Sequence, residues 1–422
     1  MGRWGVRVIP VAIVVLVFVA HFGGIITTYD SRWSIPTARS ILREGNTDVE
    51  EYRARLEADP ASGYALETID GRHYAASPIG VSLLALPVVF VLDAAGAHVP
   101  DGKTEKLVAS LVMALTAMVL YLIARRALSI PRALLLTFVF AFCTPAWSVG
   151  GRGLWQHGPT MLMLTLALWT ILSAERRPSL VQYASLPLAF AFVVRPTNAL
   201  SIAVLSLVVL LGHRRYFVRY VLWSLPIAIP FVLFNLAVYH SWHSWYYSPE
   251  RVGHGTLLGE ALAGNLVSPN RGLFVFSPIL LLALYGAWLK LRRDRTLLDV
   301  ALVVIVVLHW LVISSHLPWN GGHTYGNRLF SDMVPYFVYF LIPVVAALPE
   351  PHEVRRRPAL AVAVVVLVVL SFAIHYRGAY RRIAWDWNSS PVDIDVDPSR
   401  IWDWRDLQFL RASARGPTGE PR

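Results

Sequence analysis

Apolar residues recur in twelve runs along the chain, at roughly residues 6–26, 79–97, 107–124, 132–149, 159–174, 179–194, 197–212, 220–239, 272–289, 297–315, 333–348 and 359–376. The runs lack the strict alternation of barrel strands. They also show no strong internal repeat of the transporter kind. Most approach the ~20 residues that a helix needs to cross a bilayer. The pattern therefore predicts an all-α polytopic membrane protein. The short runs, 179–194 and 197–212, suggest tilt, a thinned bilayer or packing inside the bundle. The first run follows Arg3 and Arg7 and lacks a small-residue cleavage site, so it reads as a retained helix rather than a removed signal peptide.

Basic clusters fall between the runs: Arg125, Arg126 and Arg132; Arg176 and Arg177; Arg214, Arg215 and Arg219; Lys290, Arg292, Arg293 and Arg295; Arg355, Arg356 and Arg357. If all twelve runs cross, the N-terminus lies on one side and every later cluster on the other, against the positive-inside rule. If 79–97 does not cross, all the basic sets face the cytoplasm. That run holds Pro87, follows Pro78 and is barely long enough to span, so it reads as an interfacial or re-entrant helix. The expectation is a bundle of about eleven spanning helices, with the N-terminus cytoplasmic and the C-terminus extracytoplasmic. A long first outer loop would occupy about 27–106. Residues 1–380 would form the membrane domain and 381–422 a short outer tail.

Composition agrees. The chain of 422 residues is 55% hydrophobic and 15% charged, where a soluble domain carries about 25% charged residues. Its net charge of +11 is explained by cytoplasmic loops and needs no nucleic-acid partner. The single cysteine, Cys143, lies inside an apolar run and has no partner for a disulfide or a metal.

This topology collects a particular chemistry on the outer side. Asp30 sits where the first helix surfaces, with Arg32 beside it and aromatics around it. It is either an ordinary helix-end residue or a proton acceptor. Arg152, Arg195, Arg271 and Arg328 each stand in an outer loop, at a helix end near Gly or Pro and, for most of them, an aromatic. Their charge opposes the orientation rule. A guanidinium there can fork onto a phosphate, or it can snorkel to lipid headgroups. Four together, with a carboxylate across the bundle, favour an anionic-ligand site.

His157 and His323 have no second His or acid at metal-ligand spacing, which favours interfacial hydrogen bonding over a metal. Trp155, Trp319 and Tyr325 fit an aromatic belt or sugar-stacking rings. The tail repeats Trp385-Asp386-Trp387-Asn388 and Trp402-Asp403-Trp404-Arg405 around Asp393, Asp395 and Asp397. It reads as a small lid rather than an acceptor contact.

In their order along the chain, these motifs resemble the GT-C superfamily of membrane glycosyltransferases, in particular bacterial proteins related to protein mannosyltransferases and aminoarabinose transferases. The resemblance rests on Asp30 followed by 38–45 (ARSILREG), on 77–80 (SPIG), 154–159 (LWQHGP), 195–198 (RPTN), 268–274 (SPNRGLF) and 319–328 (WNGGHTYGNR). It implies a polyprenyl-phosphate-linked sugar donor, an active site on the extracytoplasmic side of the inner membrane, an acceptor in the cell envelope (glycan, lipid or protein) and inversion at the anomeric carbon. It maps the catalytic acid of the first outer loop onto Asp30. Many relatives carry two acids together there, whereas here Tyr29 and Ser31 flank a single one.

The expected scheme makes Asp30 the general base. Arg271 and Arg328, helped by Arg195 and Arg152, hold the donor phosphate. Arg32, Trp155, His157, Asn270, Trp319, His323 and Tyr325 contact substrate, and no metal is required. The lipid tail would lie in a groove open to membrane lipids. A transporter or flippase for a lipid-linked or anionic solute is the rival class, but the polar residues cluster on one face and no broken-helix pair is evident.

Overall fold

The computed structural model describes residues 3–27, 30–248, 250, 257–293, 295–349 and 358–412. Tyr29 and the basic cluster at 355–357 lie outside the described residues, as do the side chains of Arg3 and Arg7. The helices follow the apolar runs closely. They are α1 (Arg3–Phe22), α2 (Ser34–Arg43), α3 (Arg53–Ala58), then after a hairpin β1 (Leu66–Ile69) and β2 (Arg72–Ala75), α4 (Ile79–Ala94), α5 (Asp101–Ala124) and α6 (Ile130–Phe142). Next come α7 (His157–Ser173), α8 (Ser185–Val194), α9 (Ala199–Gly212), α10 (Phe217–Tyr239), α11 (Leu258–Val267) and α12 (Leu273–Phe276). The last are α13 (Leu281–Arg293), α14 (Leu297–Ser314), α15 (Val334–Phe340), α16 (Ile342–Ala346), α17 (Pro358–Tyr380) and α18 (Arg382–Asp386).

Among the described residues, four helical segments are long and apolar enough to cross a membrane: α5, α14, α17 and the segment Arg214–Tyr239 that contains α10. Shorter apolar helices of 10–17 residues fill the other runs. The chain is thus an all-helical membrane fold with one exception, the hairpin.

Local chemistry sets the helix ends. α5 starts behind Pro100 with Asp101 in its first turn, where a carboxylate meets the positive end of the helix dipole. α14 opens on a capping box, with Thr296 and Asp299 each accepting from the other's backbone N–H. Such a cap contributes about 1 kcal/mol. α10 carries Pro226 and Pro230 internally, which membrane helices tolerate because neighbouring groups re-satisfy the freed backbone.

Burial sorts the helices. Of the spanning window, 72% is buried in α5 and only 11% in Arg214–Tyr239, so α5 is central and α10 faces lipid. Small residues of α5 (Ala109, Ser110, Ala114, Ala117) are fully buried where α1 and α7 lie against it. In lipid, close backbone approach at such residues replaces the hydrophobic drive. Gly286 of α13 shows the limit, since a Cβ there would lie 1.8 Å from the Phe340 carbonyl oxygen of α15. Gly286→Ala should therefore push these helices apart and destabilise by about 1–3 kcal/mol, read as a lower melting temperature in detergent.

The first outer loop is a folded module. α2 buries Ile35, Ala38 and Ser40 and lies against α4, which continues onto α8. α4 has 16 residues, about 24 Å of helix at 1.5 Å per residue. Its Gly80 lies on the Val193–Val194 backbone, where a Cβ would come within 2.7 Å. An ion-pair network ties the module down: Arg39 and Arg55 both reach Asp101, and Arg43 meets Asp93 at 2.8 Å. The hairpin turns at Asp70-Gly71, both at positive φ, a two-residue loop chemistry that twists strands correctly. It adds a small sheet to the expected all-α fold.

Candidate active site

Four chain segments end at one cavity of about 740 Å3. Asp30 follows α1, His157 begins α7, Arg195 closes α8, and Arg328 lies in the loop after α14. Arg195 precedes Pro196. A residue before proline is driven out of the helical region, and Arg195 is extended at φ −158° and ψ 124°. That terminates α8 and turns the side chain inward. The loop bearing Arg328 makes tight turns at Gly321, Gly322 and Gly326, all at positive φ. A Cβ on Gly326 would also strike the Phe276 ring at 2.5 Å, so only glycine fits there.

Arg328 donates from Nη1 to Asp30 Oδ2 at 2.6 Å. Its guanidinium also lies 5.0 Å above the Trp155 ring. Tyr64, from the first loop, donates to Asp30 Oδ1 at 3.3 Å. The Asp30 side chain remains 51% exposed, and it lines the cavity. Burial pushes its carboxyl pKa up, but the Arg328 charge and the hydrogen bonds outweigh this and hold it below the ordinary value. Asp30 is therefore ionised at neutral pH. Burial and the neighbouring Asp30 charge in turn raise the Tyr64 phenol, which stays a donor.

A second charged group stands behind the lining of the same cavity. Asp332 is fully buried. Its Oδ1 is 2.7 Å from His157 Nδ1, and its Oδ2 is 3.0 Å from Arg195 Nε. Arg195 also donates from Nε to Thr197 Oγ1 at 3.0 Å, while Nη1 lies 3.1 Å from His157 Nε2. His309 Nε2 stands 4.0 Å from Asp332 and donates to the Leu329 carbonyl at 2.9 Å. Gln156, Thr197, Tyr246, Tyr247, Glu67 and His316 are among the other polar residues of the lining.

The cavity adjoins an apolar groove of about 350 Å3 between α8, α9 and α10, lined by Leu188, Tyr220, Phe231 and Val232. Phe192 lines both spaces. The Tyr247 ring stands at the junction, 5.4 Å from Phe192 and 5.2 Å from Phe231.

The structure divides the residues singled out in the sequence. Asp30, Arg328, Arg195, Trp155 and His157 meet at the cavity. Arg271 does not line it. Arg271 is fully buried, and its five donors go to the carbonyls of Asn270, Asn320 and Gly322 and to the side chains of Gln408 and Asn388. That arrangement leaves no donor for a phosphate and makes Arg271 a clamp between the outer loops and the tail. Asn270 joins the clamp, donating to the carbonyls of Arg400, Asp403 and Asp406 and accepting from Gln408 N.

Arg152 is buried, with Nη1 on the Ser148 carbonyl and its guanidinium 4.0 Å from the Trp385 ring. Trp319 is buried against Ala261 and Ile401. Tyr325 donates to the Ile374 carbonyl at 2.6 Å. Arg32 reaches Asp59 at 3.1 Å. The tail thus packs onto Arg271, Asn270, Arg152, Trp319 and Tyr325, while Arg32 stays with the first loop. Arg271→Gln should strand several of these buried acceptors. Each unpaired group costs about 1–3 kcal/mol, so we expect a loss of about 3 kcal/mol or more in thermal unfolding.

His323 finds the acids that local spacing hid. Asp393 Oδ1 lies 2.9 Å and Asp395 Oδ2 3.5 Å from its Nε2. Together they could hold a cation, but none of the three lines the cavity. Sequence reasoning passed over Tyr64 and Asp332. Asp332 carried a signal, being an acid at the mouth of an apolar run, four residues after Arg328.

No family model matches the sequence, and no curated protein matches it. Solved structures do. ArnT from Cupriavidus metallidurans, bound to undecaprenyl phosphate, is similar at TM-score 0.55 and 15% identity, over 92% of this chain and 69% of that chain. The oligosaccharyltransferase of Archaeoglobus fulgidus, tethered with an acceptor peptide, is similar at TM-score 0.57 and 12% identity, over 97% of this chain and 61% of that one. AglB from the same organism, with an inhibitory peptide and a dolichol-phosphate, gives 0.53 and 11%, over 100% and 62%. The chain thus spans less than two thirds of the length of the oligosaccharyltransferases. At these identities the likeness is one of fold: the chain shares the fold of ArnT and of the archaeal oligosaccharyltransferase.

Proposed function

We propose that this protein is an integral membrane glycosyltransferase that moves a sugar from a polyprenyl-phosphate donor to a cell-envelope acceptor on the extracytoplasmic side. The observation that carries the reading is the Asp30–Arg328 pair at a cavity that adjoins an apolar groove. An ionised carboxylate, an arginine for the phosphate and a lipid-facing slot are the three things such a reaction requires. The structural relatives bound to undecaprenyl phosphate and to a dolichol-phosphate agree with that donor class.

In this reading the donor's isoprenoid chain lies along α10 in the groove and passes Phe192 and Tyr247 into the cavity. Its phosphate meets Arg328, whose hydrogen bonding among the described residues is confined to Nη1. The acceptor hydroxyl oxygen attacks the anomeric carbon from the face opposite the phosphate. Its proton passes to Asp30, and the carbon–oxygen bond to phosphate breaks. Polyprenyl phosphate leaves with the bonding electrons, and the configuration inverts. Asp30 must come within about 2.6–3.2 Å of that hydroxyl. Arg328 stabilises charge growing on the leaving phosphate. Trp155, 5.0 Å below the Arg328 guanidinium, offers a stacking face beside it.

The scheme uses no metal, since arginines neutralise the phosphate. Saturating chelator should leave the transfer rate unchanged, and a loss restored by a divalent cation would assign one to the reaction. The direct test offers purified protein a panel of radiolabelled polyprenyl-phosphate sugars with envelope extract, and Asp30→Asn as control. Label moving to extract only with the unmodified protein supports the reading. No transfer from any donor, with label instead crossing a vesicle membrane, would favour a transporter.

A further inference from the structure

We infer that Asp332 is a positioning residue behind the cavity wall: it orients His157 and Arg195, and thereby sets affinity for the donor's polar head rather than the rate of transfer. The inference rests on the donor reading above for its ligand, but not for its geometry.

Asp332 is 0% exposed. A buried carboxylate is costly unless it is paired and hydrogen-bonded. The groups that face it are His157, Arg195 and His309, from α7, the end of α8 and α14. His309 Nε2 lies 4.0 Å from the carboxylate and donates to the Leu329 carbonyl instead. The carboxylate therefore bridges two residues, and both line the cavity.

The bridge fixes each in a definite state. Oδ1, 2.7 Å from His157 Nδ1, is an acceptor only. It therefore selects the tautomer with the proton on Nδ1. Arg195 Nη1 lies 3.0 Å from Nδ1 and 3.1 Å from Nε2, and with the proton on Nδ1 only Nε2 can accept from it. Arg195 Nε donates its one hydrogen to Thr197 Oγ1 at 3.0 Å and stands in charge contact with Asp332 Oδ2 at 3.0 Å, an oxygen that accepts no hydrogen bond among the described residues. Two of the three guanidinium nitrogens are thus occupied. Among the described residues Nη2 has no partner, and the side chain borders the cavity. The triangle holds out one guanidinium edge as a preset donor, which lowers the ordering cost of binding an oxyanion or a sugar hydroxyl.

Stability alone does not account for such a group. A buried ion pair often contributes no more than a well-packed apolar substitute. Its distinctive contribution is orientation, and the residues it orients border the ligand space.

The test uses the full-length protein in detergent or nanodiscs. First, the 15N ring signals of His157, identified by their loss in His157→Gln, are compared with and without Asp332→Asn. We expect a proton held on Nδ1 in the unmodified protein and a changed tautomer or protonation pattern in the variant. Unchanged signals would overturn the inference. Second, undecaprenyl phosphate binding is measured in a cycle of Asp332→Asn and Arg195→Gln. Each single variant should bind about 10–100-fold more weakly, the loss expected for a charged hydrogen bond. The double variant should lose no more than Arg195→Gln alone. Where transfer is assayed, KM for the donor should rise while kcat holds. Additive losses in the cycle, or a fall in kcat at fixed KM, would also overturn it. If Asp332→Asn does not fold, the charge-balanced double variant carries the ring measurement. If the unmodified protein fails to bind undecaprenyl phosphate, the proposed donor is wrong, while the ring measurement still decides the role of Asp332.

Discussion

Asp30→Asn should bind donor as well as the unmodified protein and fail to transfer. The substitution keeps the shape of the side chain and an oxygen that can accept from Arg328, so the cavity holds its form. What it removes is the group that takes the acceptor proton. A positioned general base contributes about 10²–10⁴ in rate, and a loss of that size at unchanged donor affinity is the expected result. It is read from transfer rates beside binding of the same donor. Transfer at the unmodified rate would remove Asp30 from the chemistry and leave it as a counter-ion for Arg328.

Arg328→Gln should have the other large effect, and it should show in two measurements. Removing one preorganised donor to developing charge costs about 10²–10³ in rate. The same change alters Asp30. In the intact cavity burial raises the Asp30 pKa, and the Arg328 charge more than offsets it, so the net shift is downward. The base is then ionised except in strongly acidic solution, and the acid limb of the pH–rate profile lies at low pH. Without Arg328 the burial contribution is no longer offset by that charge. The pKa rises, Asp30 takes up a proton at a higher pH, and the acid limb moves upward. Tyr64, whose hydrogen bond to Asp30 also lowers the pKa, limits the shift without cancelling it. A rate loss with an unmoved limb would mean that Arg328 acts on the phosphate alone.

The pair also suggests an order of events. With the cavity empty, Arg328 and Asp30 neutralise each other at 2.6 Å. A donor phosphate competes for the guanidinium, and any loosening of the pair makes Asp30 a stronger base when its substrate is in place. In the proposed scheme that phosphate would arrive from the groove that adjoins the cavity at Phe192.

Much of this architecture was legible in the sequence. The helices stand on the apolar runs because an unpaired backbone is intolerable in lipid, and about 20 apolar residues can satisfy it only as a helix. Run 79–97 is helical as expected: it forms α4, which lies against α2 and α8. The hairpin was missed although Asp70-Gly71 is the turn chemistry that makes one, since two four-residue strands carry little weight beside long apolar runs.

The arginines show where such reading stops. Arg152, Arg195, Arg271 and Arg328 look alike in sequence, each in an outer loop near a helix end. Arg271 and Arg328 even share the same surroundings of Asn, Gly and aromatics. Their roles diverge in the fold because the tail returns. Gln408 and Asn388, more than a hundred residues on, take up the Arg271 donors, and Trp385 covers Arg152. Arg328 escapes this and meets Asp30, 298 residues away. The same return gives His323 its acids.

The sequence by itself determined the membrane, the helices, loops gathering carboxylate, arginines and aromatics, and the place of Asp30 at a helix mouth. These follow from local composition and period, which act along the chain. Only the tertiary structure decided which arginine faces the carboxylate, which is consumed as a clamp, and that a buried Asp332 stands behind His157 and Arg195. Those are pairings between distant segments, fixed by how the helices pack, and one guanidinium among several equivalent ones carries no local mark of the partner it will meet.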